Sequence, residues 1–276
     1  MIRVERGPEP PELAPIRQGR LKALGAWLTK PGSTPSAKEI GEDYQRVKGA
    51  LFKAQHHKCA YCELIINLAY SDLEHFRPKA EADRSPGCTE RYGYWWLAWT
   101  WENVLLSCNM CNRPQREGRG KGTFFPLAAG SFPLTVGQNP PGKEVPLLLD
   151  PTESGVLDHI VYRCEQRGTR RVWIPRPRNG SARGEATIRI CALDLPEKID
   201  IYTAHVEEEV EPQVRRWDEL HAYTSDEARR KLWSEIEGEL YASHRPFIGL
   251  SYDALRLRIP ESELKDCGAV RRCPST

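Results

Sequence analysis

The chain has 276 residues, of which 39% are hydrophobic and 28% are charged, a composition typical of a globular protein with a full core. Its formal net charge is only +2, which excludes a uniformly basic surface, so nucleic acid would have to be bound by a local basic patch. Because the chain has neither an apolar run of about 18 residues nor a secretory leader, we expect a cytoplasmic protein without membrane contact.

The N-terminal segment, residues 1–58, is predicted to be helical. A first short helix is indicated by an apolar patch at Leu21, Leu24, Trp27 and Leu28. A second helix is predicted over residues 36–57, with Ser36 as its cap. Its apolar face repeats at helical spacing through Ile40, Tyr44, Val47 and Leu51. This helix leads directly into the segment 59–125, which contains the motifs described below.

The second half of the chain divides into a basic region and a helical region. Residues 126–182 are rich in proline, glycine and arginine and predict irregular structure with a hairpin; short strands are indicated at 145–149, 160–162 and 172–174. The arginines there are as consistent with solvated loops as with binding to a polyanion. Residues 183–276 carry apolar stripes at helical spacing, which indicate core packing, and Pro212 should kink one of these helices.

Two cysteine couples, Cys59-Ala-Tyr-Cys62 and Cys108-Asn-Met-Cys111, give the strongest signal. One C-x-x-C can be a redox pair, but two such couples in a reducing compartment predict one structural zinc ion bound by four thiolates. The stretch between the couples is far longer than the roughly 15–20 residues of a plain zinc ribbon. We therefore expect the zinc to hold together the ends of a functional insert. The other cysteines are read as ordinary thiols: Cys88, Cys164, Cys191, Cys267 and Cys273.

The insert contains residues suited to phosphodiester hydrolysis. His75 can act as a general base, while Glu74 and Asn112 offer oxygen ligands of the kind that Mg²⁺ prefers. A flat strand would direct Glu74 and His75 to opposite faces, so the strand should end here, as Pro78 suggests. Asp72 either assists the metal or, more simply, occupies a turn or a supporting position. Expected nucleic-acid contacts are Arg77, Lys79, Arg113 and Arg116, the last two from a basic stretch that continues to Arg119 and Lys121.

An aromatic run from Tyr92 to Trp101 lies between the motifs. Aromatic side chains can stack on unpaired bases or fill a core. The run is too dense for every ring to be exposed, so we expect most of them in the core and at most one or two against a ligand.

The pattern Cys59-x-x-Cys62, Glu74-His75, Asn103 and Cys108-x-x-Cys111-Asn112 resembles the HNH endonucleases, which share the ββα-metal fold. Its order of His75, Asn103 and Asn112 resembles an H-N-N variant. More narrowly, three segments are similar to the PtuB-type nucleases of Septu and retron-linked anti-phage systems. These are Cys59-Ala-Tyr-Cys62-Glu63, Glu74-His-Phe-Arg-Pro-Lys79 and Trp101-Glu-Asn-Val-Leu-Leu-Ser-Cys108. The strong resemblance spans about residues 56–125.

The resemblance implies an α+β fold, mainly helical, around a ββα-metal core held by the four-cysteine zinc site. It implies that His75 is the general base, that Glu74 and Asn112 bind Mg²⁺ or Mn²⁺, and that Asn103 braces the loop that orients His75. It also implies a partner ATPase of the SMC/ABC type, PtuA-like. Glu74 stands where the family most often has aspartate, and the lysine often found shortly after the last motif residue is missing, so Arg113 or Arg116 would contact the phosphate instead.

The function expected from these residues is a metal-dependent endonuclease that acts on nucleic acid, with DNA favoured. RNA, for example a tRNA, is an alternative substrate because the chemistry needs no 2′-hydroxyl. A zinc-held nucleic-acid-binding adaptor without catalysis is the alternative from another functional class. The biological activity of an endonuclease requires Glu74 and Asn112, whereas that of a non-catalytic adaptor does not.

Overall fold

In the described residues, helices account for most of the regular structure and are accompanied by three small antiparallel sheets, in agreement with a mixed α and β composition. The structure is a computed structural model that describes residues 1–115, 118–221 and 225–274. The helices of the first half are α1 (Leu13–Leu28), α2 (Ala37–Ile40), α3 (Lys48–Ala54) and α4 (Asn109–Asn112). Those of the second half are α5 (Ala182–Ile190), α6 (Pro196–His205), α7 (Glu211–His221), α8 (Asp226–Leu240), α9 (Ile248–Arg258) and α10 (Glu261–Asp266). The strands are β1 (Asp72–His75), β2 (Ala82–Ser85), β3 (Cys88–Glu90), β4 (Val104–Ser107), β5 (Ile160–Arg167) and β6 (Arg170–Pro177).

The sheet formed by β1 and β4 positions the motif residues. The two strands are antiparallel, with Glu74 opposite Leu105 and His75 opposite Val104. A 3₁₀ turn that ends at Asn103 precedes β4, and α4 follows it after Cys108. The strand with His75, the turn with Asn103 and the helix with Asn112 are thereby connected through one short sheet.

The predicted single helix over residues 36–57 is wrong. At Gly41 the backbone φ is 73°, outside the helical range, and the chain continues as a 3₁₀ turn before α3 begins at Lys48. Glycine tolerates this conformation and disfavours the helix interior. The apolar pattern was nevertheless informative, since its four members are all buried: Ile40, Tyr44, Val47 and Leu51.

The aromatic run mostly fills the core, as predicted. Tyr92 is exposed, whereas the other five rings are buried: Tyr94, Trp95, Trp96, Trp99 and Trp101. They belong to the same hydrophobic cluster as the four cysteines of the two couples and the apolar residues of β4. The hydrophobic core of the first half therefore packs directly against the strand and the cysteines that carry the motif.

A second hydrophobic cluster lies in the C-terminal half. The apolar stripe predicted over Val206, Val210, Val214, Trp217 and Leu220 is buried at its first four positions, whereas Leu220 is exposed. Pro212 is the second residue of α7, and a π-helical turn, Val206–Val210, precedes it in place of a simple kink. Proline lacks the N–H that an α-helix would use at this position, which accounts for the local change of hydrogen bonding. In the described residues, no helix is long and apolar enough to cross a membrane.

Strands β5 and β6 form the predicted hairpin, which packs against α6 and α9. Residues 145–149 are not a strand; only an isolated bridge joins Leu127 to Pro146. Some arginines of the hairpin region are paired with carboxylates, among them Arg176 with Glu165 and Arg178 with Asp253. Part of the predicted basic character is therefore neutralised within the protein.

Candidate functional site

The two cysteine couples meet beside β4. All four Sγ atoms lie within 4.8 Å of one another, and all four residues are buried. The Sγ atoms of Cys62 and Cys108 are 3.7 Å apart, far more than the about 2.05 Å of a disulfide. Sulfurs bound tetrahedrally at about 2.3 Å from one zinc ion would be about 3.8 Å apart. The four cysteines can therefore hold a metal ion such as zinc, as the spacing predicted.

The electrostatics of this cluster also favour a cation. Burial, followed by hydrogen bonds with the other three thiols, raises the pKa of Cys111 well above its usual value. Four thiolates in so small a buried volume repel one another, so they cannot all be ionised without a compensating positive charge. A bound metal ion supplies that charge and deprotonates the thiols on binding.

A cleft of about 350 Å³ opens beside the end of β1. Its walls come from the end of β1, the loop that follows it and the end of α4, and include Leu73, Glu74, His75, Pro78, Lys79, Asn112 and Arg113. Glu74 and His75 line the same cleft because β1 ends at His75 and the chain turns away from the strand direction. The structure thus places Glu74, His75 and Asn112 on the walls of one cleft.

The imidazole of His75 is oriented by a backbone acceptor. Its Nε2 lies 2.9 Å from the carbonyl oxygen of Ala98, which can only accept, so Nε2 carries the proton and Nδ1 of the neutral ring has the free lone pair. The ring also makes an edge contact with Tyr44, with centroids 4.6 Å apart. Burial, followed by the positive charge of Lys79, lowers the pKa of His75 to about 3. At neutral pH the ring is uncharged, which is the form able to accept a proton.

Asn103 connects the two backbone segments that hold His75. Its Oδ1 accepts from the Arg77 amide at 2.8 Å, and its Nδ2 donates to the carbonyls of Arg77 at 3.0 Å and Leu97 at 3.2 Å. Arg77 follows the histidine strand, and Leu97 precedes the residue whose carbonyl holds the imidazole. Asn103 is itself buried, so these bonds are protected from water. The contacts are those of a bracing residue for the loop around His75.

Glu74 is not a free ligand. Its carboxylate is buried and forms an ion pair with Lys121, whose side chain is fully buried. Lys121 Nζ also donates to the carbonyl oxygen of His75 at 2.7 Å. Burial raises the pKa of Glu74, and the positive charge of Lys121 opposes that shift. The role of Glu74 as a metal ligand stays a prediction: in this structure Lys121 is paired with its carboxylate, so a cation would have to compete with an ammonium group.

Asp72 does not line the cleft, but its carboxylate bonds to two residues that do, Asn112 and Arg113. Its Oδ2 accepts from Asn112 Nδ2 at 3.3 Å and from Arg113 Nε at 3.0 Å, and its Oδ1 accepts from Arg113 Nη2 at 2.8 Å. The carboxylate therefore fixes the amide of Asn112 relative to β1. It also pairs with the exposed Arg113 guanidinium at the rim of the cleft.

Lys79 supplies a positive charge beside His75. Its Nζ contacts the hydroxyl of Tyr44 and lies 4.1 Å from the centroid of the Tyr44 ring. Burial lowers the pKa of Lys79 to about 8, with the carboxylates of Glu42 and Glu74 acting in the opposite direction. An ammonium group that lines the cleft is well placed to meet an anionic substrate.

One of the four expected nucleic-acid contacts, Arg77, needs correction, as do two further residues of the basic stretch, Arg119 and Lys121. Arg77 is buried and paired with the buried Glu144, Nε to Oε1 at 2.7 Å, so it is withdrawn. In the basic stretch, Lys121 is withdrawn because it is fully buried, and Arg119 is paired with Asp194. Arg116 lies outside the described residues. Lys79 and Arg113 remain as candidates at the cleft.

Lys121 and Tyr44 are site residues that the motif did not reveal. A signal for Lys121 was present, because glycines flank it at positions 120 and 122. At Gly120 the backbone φ is 86°, and a Cβ there would lie 1.9 Å from the carbonyl oxygen of Arg113, so only glycine fits. The loop can thereby approach α4 closely enough to bury Lys121. No comparable signal marked Tyr44, whose spacing indicated only a core position.

Comparison with known proteins gives a match to one family. No protein-family model matches the chain, and no solved structure matches it. A curated relative, Septu protein PtuB of Bacillus mycoides (strain KBAB4), is 34% identical over 204 residues. The aligned region is 71% of this chain and 64% of the relative, so the chain spans less than two thirds of the relative's length. On this similarity, the chain belongs to the PtuB-like family.

Proposed function

We propose that this chain is a metal-dependent nuclease of the HNH type that hydrolyses phosphodiester bonds, with DNA as the favoured substrate. The observation that carries the proposal is the His75 imidazole, which is neutral, has its tautomer set by the Ala98 carbonyl, and lines the same cleft as Asn112. The name of the relative, Septu protein PtuB, supports a role in anti-phage defence. On the same family resemblance, the expected partner is an ATPase of the SMC/ABC type.

In the proposed reaction His75 removes the proton from the attacking water through Nδ1. The Ala98 carbonyl accepts from Nε2–H throughout, so the ring keeps its orientation as the proton arrives. Lys79 and Arg113 contact the phosphate oxygens from the cleft wall and its rim. The pKa of His75 is low in the free protein, and an approaching phosphodiester anion would raise it by stabilising the imidazolium. Substrate binding would therefore make His75 a stronger base when it is needed.

A divalent cation, Mg²⁺ or Mn²⁺, when bound would neutralise charge on the phosphate and stabilise the leaving oxygen. The hard oxygen donors at the cleft fit such an ion, since Mg²⁺ usually takes one or two carboxylates together with water and phosphate. Asn112, which lines the cleft, is the residue we propose to hold it. Two carboxylates can join it only when their present partners move away: Glu74, proposed from the motif, is paired with Lys121, and Asp72 is paired with Arg113. We further propose that the four-cysteine cluster holds zinc in a purely structural role.

The test is cleavage of plasmid DNA and of tRNA by the purified protein together with its ATPase partner, in Mg²⁺ and in chelator. The wild type and Asn112→Ala are compared, with Cys88→Ser as control because Cys88 is exposed on β3 and does not line the cleft. We expect Mg²⁺-dependent DNA cleavage that Asn112→Ala loses and Cys88→Ser retains. Equal cleavage by the wild type and Asn112→Ala, or none by either, would overturn the proposed catalysis, whereas cleavage of tRNA alone would change the substrate. A phage-challenge assay in which Asn112→Ala still protects would favour the non-catalytic adaptor.

A further inference from the structure

The buried Lys198 lies against the four-cysteine cluster. It is the third residue of α6, and only 2% of it is exposed. Its Nζ donates to Cys111 Sγ at 3.1 Å and to the carbonyl oxygen of Cys191 at 2.9 Å. A lysine approaches the cluster here from the C-terminal helical region, which the cysteine motif does not include.

The surroundings of Lys198 identify the charge that it balances. Burying an ammonium group without a counter-charge costs several kcal/mol, so a buried lysine is normally paired with an anion. Within the described part of the chain, Lys198 forms no ion pair with a carboxylate, and its two hydrogen-bond acceptors are a sulfur and a carbonyl. The cysteine sulfurs, once a bound metal has deprotonated them, are the anionic groups next to it.

The net charge of the metal-loaded centre also favours a cation beside the cysteine sulfurs. Four thiolates around a dication leave a net negative charge on a buried centre. A donor to one of the sulfurs offsets part of that excess, and charge-assisted bonds of this type are the stronger ones. Groups that contact metal ligands in this way orient them and commonly change metal affinity by about 10- to 100-fold.

We propose that Lys198 is a positioning residue of the metal centre: it holds the Cys111 thiolate in place, offsets the excess negative charge and thereby slows release of the metal. This inference rests on the proposed zinc site and extends it to the C-terminal helical region. It makes α6 part of the metal centre, so that retention of the metal depends on a helix far from both cysteine couples in the sequence.

The experiment uses the full-length, zinc-loaded protein without nucleic acid, so its outcome is independent of nuclease activity. The rate of zinc release to a chromogenic chelator is measured for the wild type, Lys198→Met and Lys198→Gln. Thr203→Val is the matched control, because Thr203 is also buried on α6 and its hydroxyl is hydrogen bonded, to Trp173 N and Ile199 O rather than to a cysteine. We expect release about 10- to 100-fold faster in both Lys198 variants, while Thr203→Val stays close to the wild type.

A spectroscopic reading on the cobalt-substituted protein separates the proposed contact from a general loosening of the fold. Loss of a positively charged donor raises the electron density on the Cys111 sulfur, so the thiolate-to-cobalt charge-transfer band should shift to longer wavelength in Lys198→Gln. An unchanged band and an unchanged release rate would overturn the proposal. Equally fast release from Thr203→Val would also overturn it, since the effect would then be one of stability alone.

Discussion

Replacing Lys121 by methionine tests the most heavily buried charge pair at the candidate site. Lys121 is fully buried and makes an ion pair with Glu74 and a 2.7 Å hydrogen bond to the carbonyl of His75. Methionine preserves most of the apolar volume but leaves the Glu74 carboxylate buried without its partner. Breaking a buried pair in this way costs about 3–5 kcal/mol of unfolding free energy. The loss should shrink as the pH is lowered, because the unpaired carboxylate can take up a proton.

The assay is urea unfolding of four proteins: the wild type, Lys121→Met, Glu74→Gln and the double variant. If the pair is as buried as the structure shows, the double variant loses less than the two single losses combined, by about 2 kcal/mol. Arg170→Met is the matched control, since it breaks the exposed pair between Arg170 and Asp200 and should cost less than about 1 kcal/mol. Additive single losses, or losses no larger than that of the control, would refute the reasoning.

Three further predictions concern other parts of the chain. Asn103→Ala should lose about 3 kcal/mol in urea unfolding, because three hydrogen bonds of a buried amide disappear; a loss under about 1 kcal/mol would contradict the bracing role. Burial lowers the pKa of His205 to about 4, so the folded state favours the neutral ring. The contribution of the neutral ring to the free energy of unfolding is complete above the ordinary histidine pKa of 6.5, and about 3 kcal/mol is lost as the pH falls toward 4. His205→Gln should flatten this part of the stability profile, and a profile identical to that of the wild type would contradict the assignment. Cys59→Ser should markedly lower the thermal unfolding temperature and the zinc content measured by elemental analysis, whereas Cys88→Ser should leave both unchanged; equal zinc content in the two variants would contradict a four-cysteine site.

The parts of the site that could be predicted from the sequence are those with fixed local spacing. Two residues between the cysteines of each couple are enough to predict a shared cluster, and the structure brings the four sulfurs together. Helical spacing likewise identified the buried face of residues 36–57. The spacing of apolar residues does not reveal a single glycine that ends a helix, so the prediction of one continuous helix was wrong at Gly41.

The parts that could not be predicted depend on contacts between distant segments. Arg77 looks like a phosphate contact in the sequence, and only the fold shows that Glu144 neutralises it in the core. In the sequence, Lys121 is one residue of a basic stretch. Only the fold shows that the loop lies close to α4 and that Lys121 is paired with Glu74. Lys198 lies in a segment for which only helix was predicted, yet it contacts Cys111. Charge partners of this kind follow from tertiary packing, which composition and periodicity do not encode locally.

The measurement that tests the central claim most directly is the rate of nucleic-acid cleavage by His75→Ala relative to the wild type, in Mg²⁺ and with the ATPase partner present. Unchanged zinc content and an unchanged unfolding midpoint would show that the variant is folded. A general base contributes about 10²- to 10⁴-fold, so we predict a loss of at least about a hundredfold. Cleavage by His75→Ala at the wild-type rate would contradict the assignment of His75 as the base, and with it the proposed active site.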